Sequence, residues 1–84
     1  MSWHLFIKPS AKRELEDLPQ KDQDRIVEKL WSLQDNPFPF GVAKLKGHVG
    51  YRLRAGDYRV LYEVDVKSRT LTVFAIGHRK EVYR

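Results

Sequence analysis

Two hydrophobic periods divide the chain. From Ala11 to Leu33 apolar residues recur every three or four positions, the spacing of helices with one buried face. From Tyr51 onward they alternate with polar residues, the spacing of half-buried strands. Ahead of both, Trp3-His4-Leu5-Phe6-Ile7 is an aromatic and aliphatic run of strand length. Pro9 and Ser10 follow as a helix start, with Ser10 the expected N-cap. Ala11, Leu15 and Leu18 carry a first helix until Pro19 interrupts it. A second, stronger helix is predicted from about Lys21 to Gln34, with Ile26, Val27, Leu30, Trp31 and Leu33 as its apolar face. Asn36-Pro37 stops it. Only a couple of residues join the helices, which predicts an antiparallel helical hairpin.

Phe38-Pro39-Phe40-Gly41 reads as a loop, and Lys44-Leu45-Lys46-Gly47 leads back toward a sheet. In Tyr51-Arg52-Leu53-Arg54-Ala55-Gly56-Asp57-Tyr58-Arg59-Val60-Leu61-Tyr62-Glu63-Val64, alternation runs on both sides of a Gly-Asp pair, the pattern of a tight hairpin. With Gly56 and Asp57 as the loop, Ala55 faces Tyr58 and Arg54 faces Arg59. Arg52, Arg54 and Arg59 then share one face, with Leu53, Val60 and Tyr62 on the other. A turn around Lys67-Ser68-Arg69 leads into the last long strand, Leu71 to Ile76. The expected architecture is α+β over a single domain, residues 1–84. It consists of an N-terminal strand, a helical hairpin and a three-stranded antiparallel meander, with the helices on one face of an antiparallel sheet and the arginines on the other.

Composition narrows the function. The chain is 84 residues long with a formal charge of +5. Residues 8–37 hold six basic and seven acidic side chains, whereas residues 38–84 hold ten basic and four acidic ones. Such an imbalance is expected of a nucleic-acid footprint, although a solvated basic surface gives the same count. Cysteine is absent, which removes disulfides and thiolate metal sites and fits a reducing cytoplasm. No apolar run is long enough for a membrane span or a signal-peptide core, so a soluble cytoplasmic protein is expected. His4, His48 and His78 are far apart and none sits near a metal-binding carboxylate, so no metal or other cofactor is expected. Glycine-rich phosphate loops and a nucleophile elbow are also missing.

A strand pair that places Arg54 opposite Arg59 accepts like-charge repulsion. Three guanidiniums on one face are best explained by an anion, and their planar forks suit phosphate. Arg79 and Tyr83 extend the candidate cluster, with Lys44, Lys46 and His78 nearby in sequence or topology. Such a set suits RNA phosphodiester cleavage, in which a ribose 2′-hydroxyl attacks the adjacent phosphate and charge grows on the phosphoryl oxygens. Arginine stays protonated, so Tyr83 and His78 are the acid–base candidates. Tyr83 is equally suited to stack on an exposed base. The duller reading makes Arg52 and Arg54 solvent-facing strand residues, Tyr58 and Tyr62 strand core, Trp31 helix core and Trp3 strand core.

The hairpin stretch, together with Gly77-His78-Arg79-Lys80-Glu81-Val82-Tyr83, closely resembles the RelE branch of the RelE/ParE toxin superfamily. The likeness extends to Ser10-Ala11-Lys12-Arg13-Glu14-Leu15 and Lys44-Leu45-Lys46-Gly47, and so to essentially the whole chain. It implies a type II toxin that cuts messenger RNA in the ribosomal A site. The implied partners are the ribosome, mRNA and an acidic RelB-like antitoxin that wraps around the toxin, in a hetero-oligomer able to bind operator DNA. By position, Arg59 resembles the family arginine that stabilises the transition-state phosphate. Arg79 resembles the one that protonates the leaving 5′-oxygen, and Tyr83 the C-terminal tyrosine that orients the nucleotide or assists the nucleophile. Arg52 and Arg54 stand where studied members carry lysines, the second of which has been suggested as general base. Arg54 is a poorer base, so either Tyr83 or His78 takes that role or cleavage is slow. A ParE-like gyrase poison is the alternative, and fold alone does not separate the two.

Overall fold

Proline at the first helical position makes a side-chain cap unnecessary, and it moves the start of the first helix. In a computed structural model describing residues 3–47 and 49–78, α1 spans Pro9–Glu16 with Lys8 at the N-cap, not Ser10. Pro9 has no amide proton to satisfy and its fixed φ is already helical. The remaining elements are β1 (His4–Ile7), α2 (Gln20–Asp35), β2 (Ala43–Lys44), β3 (Tyr51–Ala55), β4 (Tyr58–Asp65) and β5 (Thr70–His78). The Gln23 side-chain amide donates to the carbonyls of Glu16 (3.2 Å) and Leu18 (2.7 Å), satisfying the end of α1 and closing the short turn into α2.

The five strands form one sheet in the order β1-β5-β4-β3-β2. The α+β class and the meander β3-β4-β5 are as expected, but the sheet is mixed. β1 lies parallel to β5, with Leu5 opposite Leu71 and Ile7 opposite Val73. No tight turn joins these strands, so nothing local imposes an antiparallel direction. Instead the start of β1 is tied down by α2 and by the β4–β5 turn: the Trp3 amide donates to Gln34 O (2.8 Å) and the His4 amide to Arg69 O (2.9 Å). Beyond Val73, the last β5 partner of β1, the Glu14 carboxylate of α1 accepts from the Ile76 amide at 2.9 Å. The two-residue β2, read from sequence only as an approach to the sheet, pairs Ala43 with Arg52 and Lys44 with Tyr51.

The core lies between the helices and one sheet face. Ala11 and Leu15 of α1 and Ile26, Leu30 and Leu33 of α2 pack with Leu53, Ala55, Val60, Tyr62, Leu71, Val73 and Ile76. Trp31 corrects the sequence reading, because it is 67% exposed. The apolar residues of α2 form two adjacent stripes, and only the one through Ile26, Leu30 and Leu33 meets the sheet. The second stripe, Val27 and Trp31, turns outward. Trp3 is half-buried against the core, with the Arg69 guanidinium 4.8 Å from its ring centre.

Tyr62 is fully buried, and its hydroxyl donates to Pro37 O at 2.7 Å, which ties β4 to the loop after α2. Burial, and secondarily the neighbouring Tyr51, pushes its ionisation well above the ordinary tyrosine range. Close approach at the start of β3 depends on Gly50, whose φ is +143°. A Cβ there would stand 2.9 Å from the Tyr62 carbonyl oxygen. No helix among the described residues is long and apolar enough to cross a membrane.

The raised Tyr62 ionisation has a definite sign. The unfolded tyrosine loses its proton near pH 10 while the folded one keeps it, so the stability it confers is complete below about pH 10 and is lost as pH rises further. Tyr62→Phe should cost about 1–3 kcal/mol at neutral pH by stranding the Pro37 carbonyl. Urea unfolding should also show a flatter alkaline decline in the variant. Unchanged stability and an unchanged alkaline slope would contradict this role.

Candidate functional site

The register of the β3–β4 hairpin assembles the site. Gly56 has φ +64° and Asp57 is not left-handed, as a tight two-residue turn with glycine first requires. Ala55 therefore faces Tyr58, Arg54 faces Arg59, Leu53 faces Val60 and Arg52 faces Leu61. Arg54 and Arg59 thus stand directly opposite one another on the face away from the helices, their Cβ atoms about 4.5–5.5 Å apart. Leu61, opposite Arg52, is buried yet lies outside the main core.

The three arginines line one open groove of about 310 Å3. Lys29 of α2, Phe40 and Gly41 of the loop before β2, Ala43 of β2 and Leu53 of β3 also line it. It sits where β2, paired only with Tyr51 and Arg52, leaves the rest of the β3 edge uncovered. Sequence reasoning missed Lys29 and Phe40. Lys29 lies on the polar side of a helix and carries no local signal. Phe40 did carry one, an aromatic residue in a Pro-Phe-Gly turn with no periodic partner.

Other candidate residues fall elsewhere. His78 is opposite Tyr58 in the β4–β5 pair, its ring edge-on to the tyrosine at 5.8 Å. Arg59 is opposite Gly77, so alternation puts His78 on the helix-facing side, away from Arg54 and Arg59. Lys44 is opposite Tyr51, not Arg52, and neither it nor Lys46 lines the groove. Both lysines are exposed at the β2 edge. Arg79, Tyr83 and His48 lie outside the described residues.

Chemically, a groove lined by one lysine and three arginines, with no acidic wall residue among the described residues, suits an anion. Two arginines meeting across strands can present several N–H donors to one phosphate group. A second surface has the opposite character. An apolar cleft of about 270 Å3, bounded by Leu5, Ile7, Leu15, Val27, Leu30 and Trp31, opens between β1 and the two helices.

Comparison with known proteins places these features. Residues 5–83 match the ParE toxin family of type II toxin–antitoxin systems. The chain is 30% identical to toxin RelG of Mycobacterium tuberculosis over 86 residues, covering all of this chain and 99% of that one. It is 32% identical to toxin RelE of the same organism over 84 residues, covering 98% and 87%. Among solved structures, the archaeal RelE–RelB complex from Pyrococcus horikoshii superposes with a TM-score of 0.84 at 31% identity, covering 98% of this chain and 100% of that chain.

Because Arg54 sits where a second guanidinium opposes it, replacing it should not harm the fold. Arg54→Gln is expected to leave stability unchanged or to raise it by a few tenths of a kcal/mol, up to about 1, at low ionic strength. The gain should shrink in 1 M salt, where screening acts over about 3 Å. A clear loss of stability at low salt would show that the pair is held for structural reasons.

Proposed function

From the chain's membership of the ParE toxin family, in its RelE branch, we propose that it is the toxin of a type II toxin–antitoxin pair and acts as an endoribonuclease on messenger RNA in the ribosomal A site. The observation that carries the reading is the meeting of Arg52, Arg54 and Arg59 in one groove. Guanidiniums gathered this closely present several N–H donors with the planar geometry that pairs a phosphate.

In the proposed reaction the ribose 2′-oxygen attacks the neighbouring phosphorus and gives up its proton. The bond from phosphorus to the 5′-oxygen breaks, and that oxygen takes up a proton. The products are a 2′,3′-cyclic phosphate and a free 5′-hydroxyl. Negative charge peaks on the phosphoryl oxygens between these events, and Arg59 and Arg54 are fixed donors aimed at that charge. Arg52 holds the strand. Arg54 remains protonated throughout and cannot accept the 2′ proton. His78 faces Tyr58 on the other side of the sheet, which supports Tyr83 in that role. Arg79 is assigned the leaving 5′-oxygen, to which its guanidinium donates a hydrogen bond as charge grows there, and the proton that this oxygen takes up comes from water.

The partner proposed is an acidic RelB-like antitoxin. The similar archaeal RelE was solved with RelB, and two surfaces here suit such a chain: the cationic groove and the apolar cleft at Val27 and Trp31. The description of the matched family names ParE, which keeps gyrase poisoning as the second reading. Three clustered guanidiniums favour phosphate chemistry over it.

Mapping transcript ends on translating ribosomes tests the choice. Arg59→Ala and Arg54→Ala should each slow single-turnover cleavage by about 10²–10³-fold, with thermal midpoints retained. Intact messages alongside gyrase-trapped broken DNA would replace the nuclease with the poison. Trp31→Glu should weaken antitoxin binding in calorimetry while leaving cleavage by the free toxin at its usual rate. Undiminished antitoxin affinity would remove the cleft from that interface.

A further inference from the structure

Phe40 is the most exposed large apolar side chain among the described residues, at 105% of its reference accessibility. Its backbone is nevertheless well anchored. Pro37 and Pro39 restrict the loop, the Tyr62 hydroxyl holds the Pro37 carbonyl, the Phe38 amide donates to Asn36 Oδ1 (3.0 Å), and the Val42 amide donates to the Pro39 carbonyl (3.1 Å). Two residues earlier, Phe38 packs edge-on against Tyr51 with ring centres 5.3 Å apart. The loop thus packs one ring edge-on against Tyr51 and holds the other out in water, at the rim of the groove that contains Lys29, Arg52, Arg54 and Arg59.

What surrounds the ring identifies its ligand. Trp31 and Val27 border an apolar cleft, as a surface for a protein helix would. Phe40 is bordered by cations. An aromatic platform beside a positively charged track is the combination that grips single-stranded nucleic acid, through base stacking and phosphate pairing together. We propose that Phe40 is a base-stacking platform: one nucleobase of the RNA strand lies on its ring while the phosphate beside that base is held by Arg54 and Arg59. Lys29 takes the next phosphate where the strand crosses the open β3 edge. Because the loop is held in place before RNA arrives, little ordering entropy opposes this contact. The inference deepens the nuclease reading and rests on it.

Single-turnover cleavage on ribosomes programmed with a defined message tests it. Phe40→Ala and Phe40→Leu should lower the apparent kcat/KM by about 5–150-fold, whereas Phe40→Trp should restore it. Thermal midpoints should not move, since the ring has no packing to lose. An abasic nucleotide at one particular position of the message should slow the wild type and leave Phe40→Ala unaffected. A Phe40→Ala protein that cuts at the wild-type rate, or Phe40→Leu equal to wild type, would overturn the proposal. Normal cleavage by Phe40→Ala combined with weakened antitoxin binding would reassign the ring to the protein partner. Cleavage by wild type that is lost in Arg59→Ala keeps the nuclease reading separate from these outcomes. A message left whole by the wild type would end both.

Discussion

The register of β3 against β4 governs this molecule, and a two-residue turn sets it. With Gly56 left-handed and Ala55 paired to Tyr58, every later pair is determined by alternation. A slip of β3 by one residue against β4 would exchange the faces of β3, driving Arg52 and Arg54 into the core and exposing Leu53 and Ala55. Burying two guanidiniums without partners is prohibitive. The hydrophobic pattern and the turn chemistry therefore enforce the same register, and the cationic face follows from it without any further device.

The rest of the fold holds that face steady. Tyr62 projects from the same hairpin through the core to the Pro37 carbonyl, so the strand that carries Arg59 also positions the loop that carries Phe40. Glu14 extends α1 to the backbone of β5, reaching Ile76 directly across from Val60. These links run between elements distant in sequence. They convert a short hairpin, which alone would be marginal, into one wall of a stable groove. The Arg54–Arg59 cross-strand pair sits on this support.

The molecule carries two surfaces of opposite character. The cationic groove lies at the β3 edge and on the sheet face away from the helices, whereas the apolar cleft lies between the helices and β1. Each is built from residues that the core does not need: the arginines because they alternate away from it, and Val27 and Trp31 because α2 carries a wider apolar arc than the sheet covers. A partner spanning both would shut the groove while gripping the cleft.

The hairpin, its register, both helices and the arginine face were readable in the residues, since each depends on periodicity or a turn within about fifteen positions. The parallel pairing of β1, the two-residue β2 and the exposure of Trp31 were not. An edge strand's direction is decided by what covers the neighbouring strand's free edge, and a helix's buried arc by the width of the surface it meets. The same holds for Lys29 and Phe40, which reach the groove from a helix and a loop whose positions depend on long-range packing. Sequence alone determined which side chains share a strand face, because alternation is a property of the backbone. Only the tertiary structure decided which helix and loop residues join them, because that depends on how separate elements come to rest against one another.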